Sequence, residues 1–503
     1  MAWKVSGHTC QLILLASIAA LLRSLESVSI IVSNLNSPSI MKTRILIFAI
    51  FSVVLVACQP EIDEFQASKG NADFTKYVAI GNSLTSGYAD AALYHSAQAN
   101  SYPAIMAAQF AKVGGGNFIQ PVVNSEYGVL SGKRVLDFAA DCKGVVGLSP
   151  VPATGSPEGL AHVGYAVNNF GVPGAKSYHL LAQNYGNPAG LVTTPMTANP
   201  YFVRFASSPS ISVMEDVMAA QGTFFSLWVG NNDILGYATA GGENTQGDSI
   251  TPVNFFSVIY NGLVSTLTST GAKGVLANIP DITEIPFFTT VTYNGLVLTA
   301  EQAVQLNGAY AQVEAYLASI GVPYQYNFNF QAGANAFVIE DRNFPIAALP
   351  KALKVRQIQP GELILLTVPQ DSMKCYGMGS FSTAALMPFG IPQNYVLDAQ
   401  EVAIINNATA AYNVVIKAAA ESKGLALADM NSHLRNLKSG LIYDGLTFTT
   451  TFVTGGVFSL DGVHLNQQGA AVVANFFIDA INKTYSASVP KAEVTQYPGI
   501  LFP

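Results

Sequence analysis

Short apolar runs that read as buried strands alternate with helical patterns along most of this chain. The candidate strands, each followed by turn residues, are residues 77–80, 223–229, 274–278 and 425–429. Parallel strands need a crossover connection, which is usually a helix, so the alternation predicts an α/β fold with a mostly parallel sheet. No internal repeat or clear boundary interrupts the pattern. We therefore expect a single domain over residues 74–490 and a C-terminal tail over residues 491–503.

Three helices are indicated by the residues that would cap their first turns. The capping residues are Asp398 with Glu401, Thr299 with Gln302, and Asn466. Long insertions rich in Gly, Pro, Ser or Asn separate the regular segments, at residues 125–165, 178–212 and 330–395. Loops of this length usually serve as lids or binding walls. Residues 287–298 read as a β-hairpin around an Asn-Gly turn.

The composition narrows the functional classes. Half of the 503 residues are hydrophobic and 11% are charged, which is typical of a globular chain with a large core. The net charge of −7 provides no basic surface for nucleic acid. The chain has no Gly-rich phosphate loop, no HExxH and no paired CxxC, so the sequence favours neither nucleotide nor zinc chemistry. We expect no cofactor.

The first part of the chain has the pattern of a processed leader. Residues 41–57 combine a short basic start with an apolar run too short to span a bilayer, as in a signal peptide. The run ends in Leu-Val-Ala before Cys58, which resembles a bacterial lipoprotein box and implies lipidation of that cysteine. An ordinary secretory signal with an incidental cysteine is the alternative. We expect residues 58–73 to be the lipidated cysteine and a tether, and residues 1–40 to be an extension from a misassigned start codon.

A lipid on Cys58 would attach the protein to a membrane outside the cytoplasm. The next residue is Gln59 rather than an Asp that retains lipoproteins at the inner membrane. This predicts an outer-membrane or cell-surface lipoprotein of a Gram-negative bacterium. Cys142 and Cys375 then remain as thiols, and the sequence leaves open whether they pair.

Four short stretches carry residues suited to chemistry. They are "GNSL" at 81–84, "NNFGVPGAKS" at 168–177, "GNND" at 230–233 and "DGVH" at 461–464. Ser83 follows a predicted strand, where backbone N–H groups of a strand-to-helix turn can stabilise an oxyanion. A serine nucleophile also needs a base, and a plain helix cap is the alternative role for Ser83.

Two histidines are candidates for the base that would activate Ser83. Asp461 and His464 lie three residues apart, so the carboxylate can hold the imidazole tautomer and stabilise the imidazolium. His433 is the rival, because Asp429 precedes it by four residues. His433, however, lies in what reads as an ordinary exposed helix start. We assign the role of base to His464.

In this order the four stretches resemble the motifs of the SGNH family, also called GDSL hydrolases. The resemblance covers essentially the whole domain, from about residue 74 to about residue 485. It implies a flavodoxin-like three-layer α/β/α fold and a serine ester hydrolase. One position departs from the family pattern, since Asn82 stands where the first motif usually has Asp. Thr85 stands where the G-x-S-x-G elbow of α/β-hydrolases requires glycine.

Carried onto this sequence, the resemblance implies a role for each site residue. Ser83 is the nucleophile, His464 the base and Asp461 the residue that orients it. The oxyanion hole is formed by the backbone N–H groups of Ser83 and Gly174 and by the side chain of Asn232. Read alone, the Asn and Gly positions would be ordinary turn chemistry.

The implied reaction proceeds through an acyl-enzyme on a lipid ester or an acylated carbohydrate. Phe287, Phe288 and residues 363–366 could line an acyl groove, although a role in the core is favoured. The alternatives are a carbohydrate deacetylase of the same fold and an inactive surface lipoprotein that binds a partner. A metal-dependent hydrolase is disfavoured, because the sequence lacks the ligand clusters.

Overall fold

A five-stranded parallel sheet lies at the centre of the computed structural model, which describes residues 65–243 and 248–503. The strands are β1 Tyr77–Gly81, β2 Arg134–Ala140, β3 Val146–Pro152, β4 Asn169–Gly171, β5 Phe224–Trp228, β6 Lys273–Ala277, β7 Leu296–Leu298, β8 Gly333–Asn335, β9 Val338–Glu340, β10 Val355–Gln357, β11 Leu363–Ile364, β12 Ser380–Ser382, β13 Met387–Phe389, β14 Val396–Leu397, β15 Ala426–Ala428, β16 Leu441–Tyr443 and β17 Leu446–Phe448. The helices are α1 Ser83–Ser86, α2 His95–Ala99, α3 Tyr102–Ala111, α4 Pro200–Val203, α5 Val213–Ala219, α6 Asn232–Thr239, α7 Val253–Thr268, α8 Pro286–Thr289, α9 Ala300–Ser319, α10 Gln370–Cys375, α11 Ala399–Lys423, α12 Met430–Ser439 and α13 Gln467–Tyr485.

The sheet order is β15-β6-β5-β1-β4, and every neighbouring pair is parallel. The predicted α/β class with a mostly parallel sheet is therefore confirmed. The four predicted strands are confirmed as β1, β5, β6 and β15. All residues of β1 and β5 are buried. This agrees with the uninterrupted apolar runs of the sequence, because a parallel sheet is covered on both faces.

The fifth strand, β4, was missed because its sequence does not look like a strand. It is three residues long and lies in the stretch 168–177, which reads as a loop. Asn169 is 1% exposed, and its side-chain amide donates to the Thr85 carbonyl oxygen at 2.9 Å. Because one of its three residues is a buried Asn that is satisfied by a distant backbone carbonyl, the strand does not show the apolar pattern by which buried strands are predicted.

Two pairs of helices flank the sheet. On one side Trp228 of β5 meets the rings of Tyr102 in α3 and Phe477 in α13 edge-on, at 5.5 and 5.8 Å. In the second pair, Phe256 of α7 stacks on Tyr412 of α11 at 3.9 Å, and α11 also packs against β6. Aromatic pairs of this kind stabilise the packing beyond what the buried area alone contributes.

The predicted caps form as expected. Capping boxes open α11 through Asp398 and Glu401, and α9 through Thr299 and Gln302. Asn466 caps α13 by accepting the Gly469 N–H at 2.7 Å. Local side-chain chemistry therefore determines where these helices begin.

The predicted hairpin over residues 287–298 is wrong. Pro286 begins the short helix α8, which buries Phe287 and Phe288. A turn does form at Gly295, but the strand after it, β7, pairs with β8, more than thirty residues further along. Two hydrophobic clusters, built almost entirely from residues 291–396, give this insertion a core of its own.

Residues Ala67–Pro503 form one compact unit. Ser68 pairs with Ser488, and Ala72 is 3% exposed, so the packed body begins within the segment predicted to be a tether. Within the predicted tail, Ala492 is also 3% exposed. The expectations for the upstream extension, the signal peptide and lipidation fall on residues 1–64, outside the described residues. In the ranges that are described, no helix is long and apolar enough to cross a membrane.

A disulfide joins two of the insertions. Cys142 lies in the turn of the β2–β3 hairpin and bonds Cys375 at the end of α10, with a Cα–Cα distance of 6.4 Å. Beside the disulfide, Lys374 Nζ forms an ion pair with Asp141 Oδ2 at 3.7 Å. This answers the question that the sequence left open.

We expect loss of this disulfide to loosen the hairpin. The hairpin exposes much of its apolar surface, so few packing contacts would hold it in place without the disulfide. In Cys142→Ser, trypsin should cleave after Lys143 several-fold faster than in the wild type. Because it breaks the same bond, Cys375→Ser should match it. Wild-type cleavage rates in both variants would contradict this role.

Candidate active site

The candidate site lies where the order of the sheet reverses. Strands β1 and β5 are neighbours, but the chain continues from β1 to β4 on one side and from β5 to β6 on the other. Ligands of open α/β sheets bind in the crevice at the carboxyl ends of two such strands. Ser83 follows β1 and Asn232 follows β5, so the topology brings both to this edge.

The turn after β1 presents Ser83 and leaves its hydroxyl available. Asn82, not Ser83, is the N-cap of α1, and its side chain accepts the Leu84 N–H at 3.2 Å. Asn82 thus makes the turn hydrogen bond expected of a short polar side chain at this position. Ser83 is the first helical residue and is 8% exposed. The alternative role of Ser83 as a plain cap does not describe this turn.

The structure brings Ser83, His464 and Asp461 into one hydrogen-bonded chain. The Ser83 Oγ lies 2.8 Å from His464 Nε2, across 381 residues of sequence. The other ring nitrogen, Nδ1, lies 2.8 Å from Asp461 Oδ2. The imidazole can therefore take the hydroxyl proton while the carboxylate holds its tautomer.

The Asp461 carboxylate is held by further hydrogen bonds. Oδ1 accepts the N–H groups of Val463 and His464 at 2.9 and 2.8 Å, and Oδ2 accepts the Ala91 N–H at 3.0 Å. Burial acts to raise the pKa of Asp461. The charge of His464 and the hydrogen bonds outweigh it and hold that pKa well below its ordinary value. Asp461 therefore remains an anion beside the imidazole.

The turn between Asp461 and His464 depends on a glycine. Gly462 has a φ of +73°, in the left-handed region that favours glycine. A Cβ on this residue would also lie 2.9 Å from a side-chain carbon of Leu366 and 3.1 Å from the Phe287 nitrogen. The Phe287 N–H donates to the Gly462 carbonyl oxygen at 2.9 Å, so the base of the insertion braces the turn.

The predicted oxyanion donors lie on adjoining segments. The Asn232 amide donates to the Ala175 carbonyl oxygen at 3.0 Å, which leaves its second N–H for a ligand. Gly174 precedes Ala175 and has a φ of +79°. Within the described ranges, the N–H groups of Ser83 and Gly174 have no acceptor. The turn after β4 is thus tied to the Asn that follows β5.

Asp233 holds these two segments together, a role that the sequence did not indicate. Its carboxylate is fully buried and accepts both the N–H and the hydroxyl of Ser177, each at 2.7 Å. Burial raises the pKa of Asp233, and the hydrogen bonds from Ser177 oppose that rise. The residue was visible in "GNND", but its partner could be found only in three dimensions.

Asp90 is a second residue that the sequence did not single out. Its carboxylate accepts the Tyr94 hydroxyl at 2.6 Å and the Leu460 N–H at 2.8 Å. Its own N–H donates to the Ser459 hydroxyl, which in turn donates to Asp461. Burial raises the pKa of Asp90, and the Asp461 charge adds to that rise. Asp90 therefore positions the segment that carries Asp461.

The rival histidine is not the partner of Ser83, whose Oγ is paired with His464 Nε2. The ring of His433 stacks on Phe476 with centroids 3.7 Å apart. Asp429 caps α12 by accepting the Ser432 N–H and also accepts the Asn278 amide, at 3.1 and 2.7 Å. The Asp429 and His433 pair therefore forms a helix start, as the sequence suggested, but His433 is partly buried rather than exposed.

Among the described residues, no group of three or more His, Cys, Asp or Glu side chains is arranged to hold a metal ion. No protein-family model matches the chain, and no curated protein was found to match it.

We expect Asp90 to act through Asp461. Asp90→Ala should slow covalent labelling of Ser83 by a fluorophosphonate about tenfold, the cost of roughly one charge-assisted hydrogen bond. Asp90→Asn keeps an acceptor for Leu460 and should restore most of the rate. Tyr94→Phe removes one partner only and should have a smaller effect. A wild-type labelling rate in Asp90→Ala would contradict this role.

His179 should make the fold sensitive to acid. Burial, with the Lys176 charge, lowers the pKa of His179 from 6.5 to about 4, and its Nδ1 accepts the Lys176 N–H at 3.1 Å. The unfolded chain therefore binds the extra proton first, so the free energy of unfolding should fall from pH 6.5 towards pH 4. In His179→Gln, the melting temperature should depend less on pH over this window. Parallel curves for variant and wild type would contradict it.

Proposed function

We propose that this chain is a serine ester hydrolase of the SGNH, or GDSL, type. The observation that carries the proposal is the hydrogen-bonded chain from Ser83 to His464 to Asp461, with 2.8 Å at each step. A nucleophile, a base within reach and a group that orients the base are the parts that serine acyl transfer requires.

The sheet topology supports the same assignment. Numbered along the chain, the five strands of the sheet lie in the order 2-1-3-4-5. This is the flavodoxin-like order, and ligands of such sheets bind between strands 1 and 3. We propose a flavodoxin-like three-layer α/β/α architecture, as the sequence resemblance implies.

In the first half-reaction, the Ser83 Oγ attacks the ester carbonyl carbon and His464 Nε2 takes the hydroxyl proton. The carbonyl oxygen becomes an oxyanion, which the N–H groups of Ser83 and Gly174 and the Asn232 amide would receive. The tetrahedral intermediate collapses as the carbon–oxygen bond to the alcohol breaks. His464 gives its proton to that departing alcohol, which leaves Ser83 acylated.

In the second half-reaction, His464 takes a proton from water, and the hydroxide attacks the acyl carbon. Collapse of this second intermediate breaks the bond to the Ser83 Oγ, which recovers its proton from His464. Asp461 remains an anion throughout and stabilises the imidazolium in both steps.

The alternatives differ in substrate or in activity. A carbohydrate deacetylase would use the same chain of groups, because these groups determine the reaction and not the acyl or alcohol part. An inactive binding lipoprotein is less well supported, because binding alone does not need a serine hydroxyl within hydrogen-bond distance of an imidazole that can accept its proton. We also propose membrane attachment through a lipid on Cys58, at the outer membrane or cell surface.

A fluorophosphonate, which reacts with activated serines, tests the function. Wild type should be labelled, and Ser83→Ala should not. Asn232→Ala should be labelled and should hydrolyse p-nitrophenyl esters about a hundredfold or more slowly, because one oxyanion donor is lost.

Circular dichroism should show that both variants are folded. Folded wild type that neither reacts with the probe nor hydrolyses an ester would overturn the proposed activity in favour of the binding lipoprotein.

A further inference from the structure

A cavity extends from the candidate site into the protein. It has a volume of about 80 Å³ accessible to a water-sized molecule and is partly open to solvent, and Ser83 and His464 both line it. A reacting carbonyl at Ser83 would therefore have an internal space directly beside it.

Polar groups of the candidate site line part of this cavity. Asn82, Asn231 and Asn232 line it together with Ser83 and His464. The Asn231 Oδ1 is buried and has no hydrogen-bond partner among the described residues. This oxygen can only accept a hydrogen bond, so a water molecule, rather than an ester oxygen, would satisfy it.

The remaining wall is apolar. Helix α12 contributes Met430, Leu434 and Leu437, and α13 contributes Val473 and Phe476. His433 also lines the cavity, but its ring lies flat against Phe476, and burial lowers its pKa, so it remains neutral. An apolar wall of this kind suits a hydrocarbon.

We propose that this cavity binds the acyl chain of the substrate, and that the substrates are esters of fatty acids with several methylenes rather than acetyl esters. The inference rests on the proposed function. It chooses between the lipid ester and the acetylated carbohydrate, which the catalytic groups alone do not distinguish.

The acyl part fits the cavity better than the alcohol part does. The alcohol leaves after the first half-reaction and needs a path to solvent. The acyl chain stays bonded to Ser83 until water attacks, so an apolar space beside Ser83 can hold it throughout.

Phe287, Phe288 and residues 363–366, which the sequence suggested for an acyl groove, do not line this cavity. Phe288, Ile364 and Leu365 are at most 1% exposed and belong to hydrophobic clusters. The favoured expectation of a core role agrees with this burial, and the cavity uses α12 and α13 instead.

Chain length is the variable to test. The substrates are p-nitrophenyl esters with acyl chains of two, four, eight and twelve carbons. Each buried methylene should raise kcat/KM about fourfold until the cavity is filled. A second series, acetates of alcohols with two to eight carbons, should show little dependence on length.

Leu434→Trp should fill the cavity. It should lower kcat/KM for the eight- and twelve-carbon esters at least tenfold more than it lowers kcat/KM for the acetate. Leu434→Ala keeps the cavity open and should retain the long-chain preference. The matched control is Asn436→Trp, on the exposed face of α12, which should behave as wild type.

The outcomes separate the two proposals. Hydrolysis that is fastest with acetate and insensitive to Leu434→Trp would overturn the acyl cavity and leave the ester hydrolase intact. Length dependence in the alcohol series alone would also overturn it. Absence of both labelling and hydrolysis would overturn the proposed function itself, and the acyl cavity with it.

Discussion

The largely buried carboxylate of Asp461, whose side chain is 13% exposed, is the group on which the site depends. A charge away from water is costly unless hydrogen bonds compensate it, and here the donors come from two distant parts of the chain. The N–H groups of Val463 and His464 belong to its own turn, while the Ala91 N–H arrives from the segment after α1. The charge can be satisfied only when these segments meet. The same meeting places the His464 ring on Ser83.

The long insertions brace this arrangement. The Arg134 N–H at the base of the β2–β3 hairpin donates to the Asp90 carbonyl oxygen, one residue before Ala91. On the other side, the Phe287 N–H holds the carbonyl of Gly462 inside the Asp461–His464 turn. The disulfide connects the hairpin with the second insertion. The insertions therefore restrain the two segments that meet at the Asp461 carboxylate. These are the loop that supplies the Ala91 N–H and the turn from Asp461 to His464.

The proposed catalytic groups and the proposed acyl cavity share one physical origin. The carboxyl edge of a parallel sheet leaves strand-end turns with unpaired N–H groups, and it opens a crevice where the strand order reverses. Ser83 and Asn232 occupy those turns. Just beyond them, apolar faces of α12 and α13 enclose space rather than closing on each other. The polar groups of the candidate site thus adjoin an apolar cavity wall.

The amino-acid sequence by itself determined the fold class, four of the five sheet strands and the helix caps, because these rest on local periodicity and capping. It pointed to Ser83, Asp461 and His464 through a motif resemblance and the spacing of Asp461 and His464, and the structure shows that the three side chains meet. The sequence did not reveal β4, the pairing of β7 with β8, the disulfide, or the partners of Asp90 and Asp233. Each of those depends on contacts between residues far apart in the chain. Hydrophobic pattern records which residues are buried but not which partner they meet, and only the tertiary structure decides that.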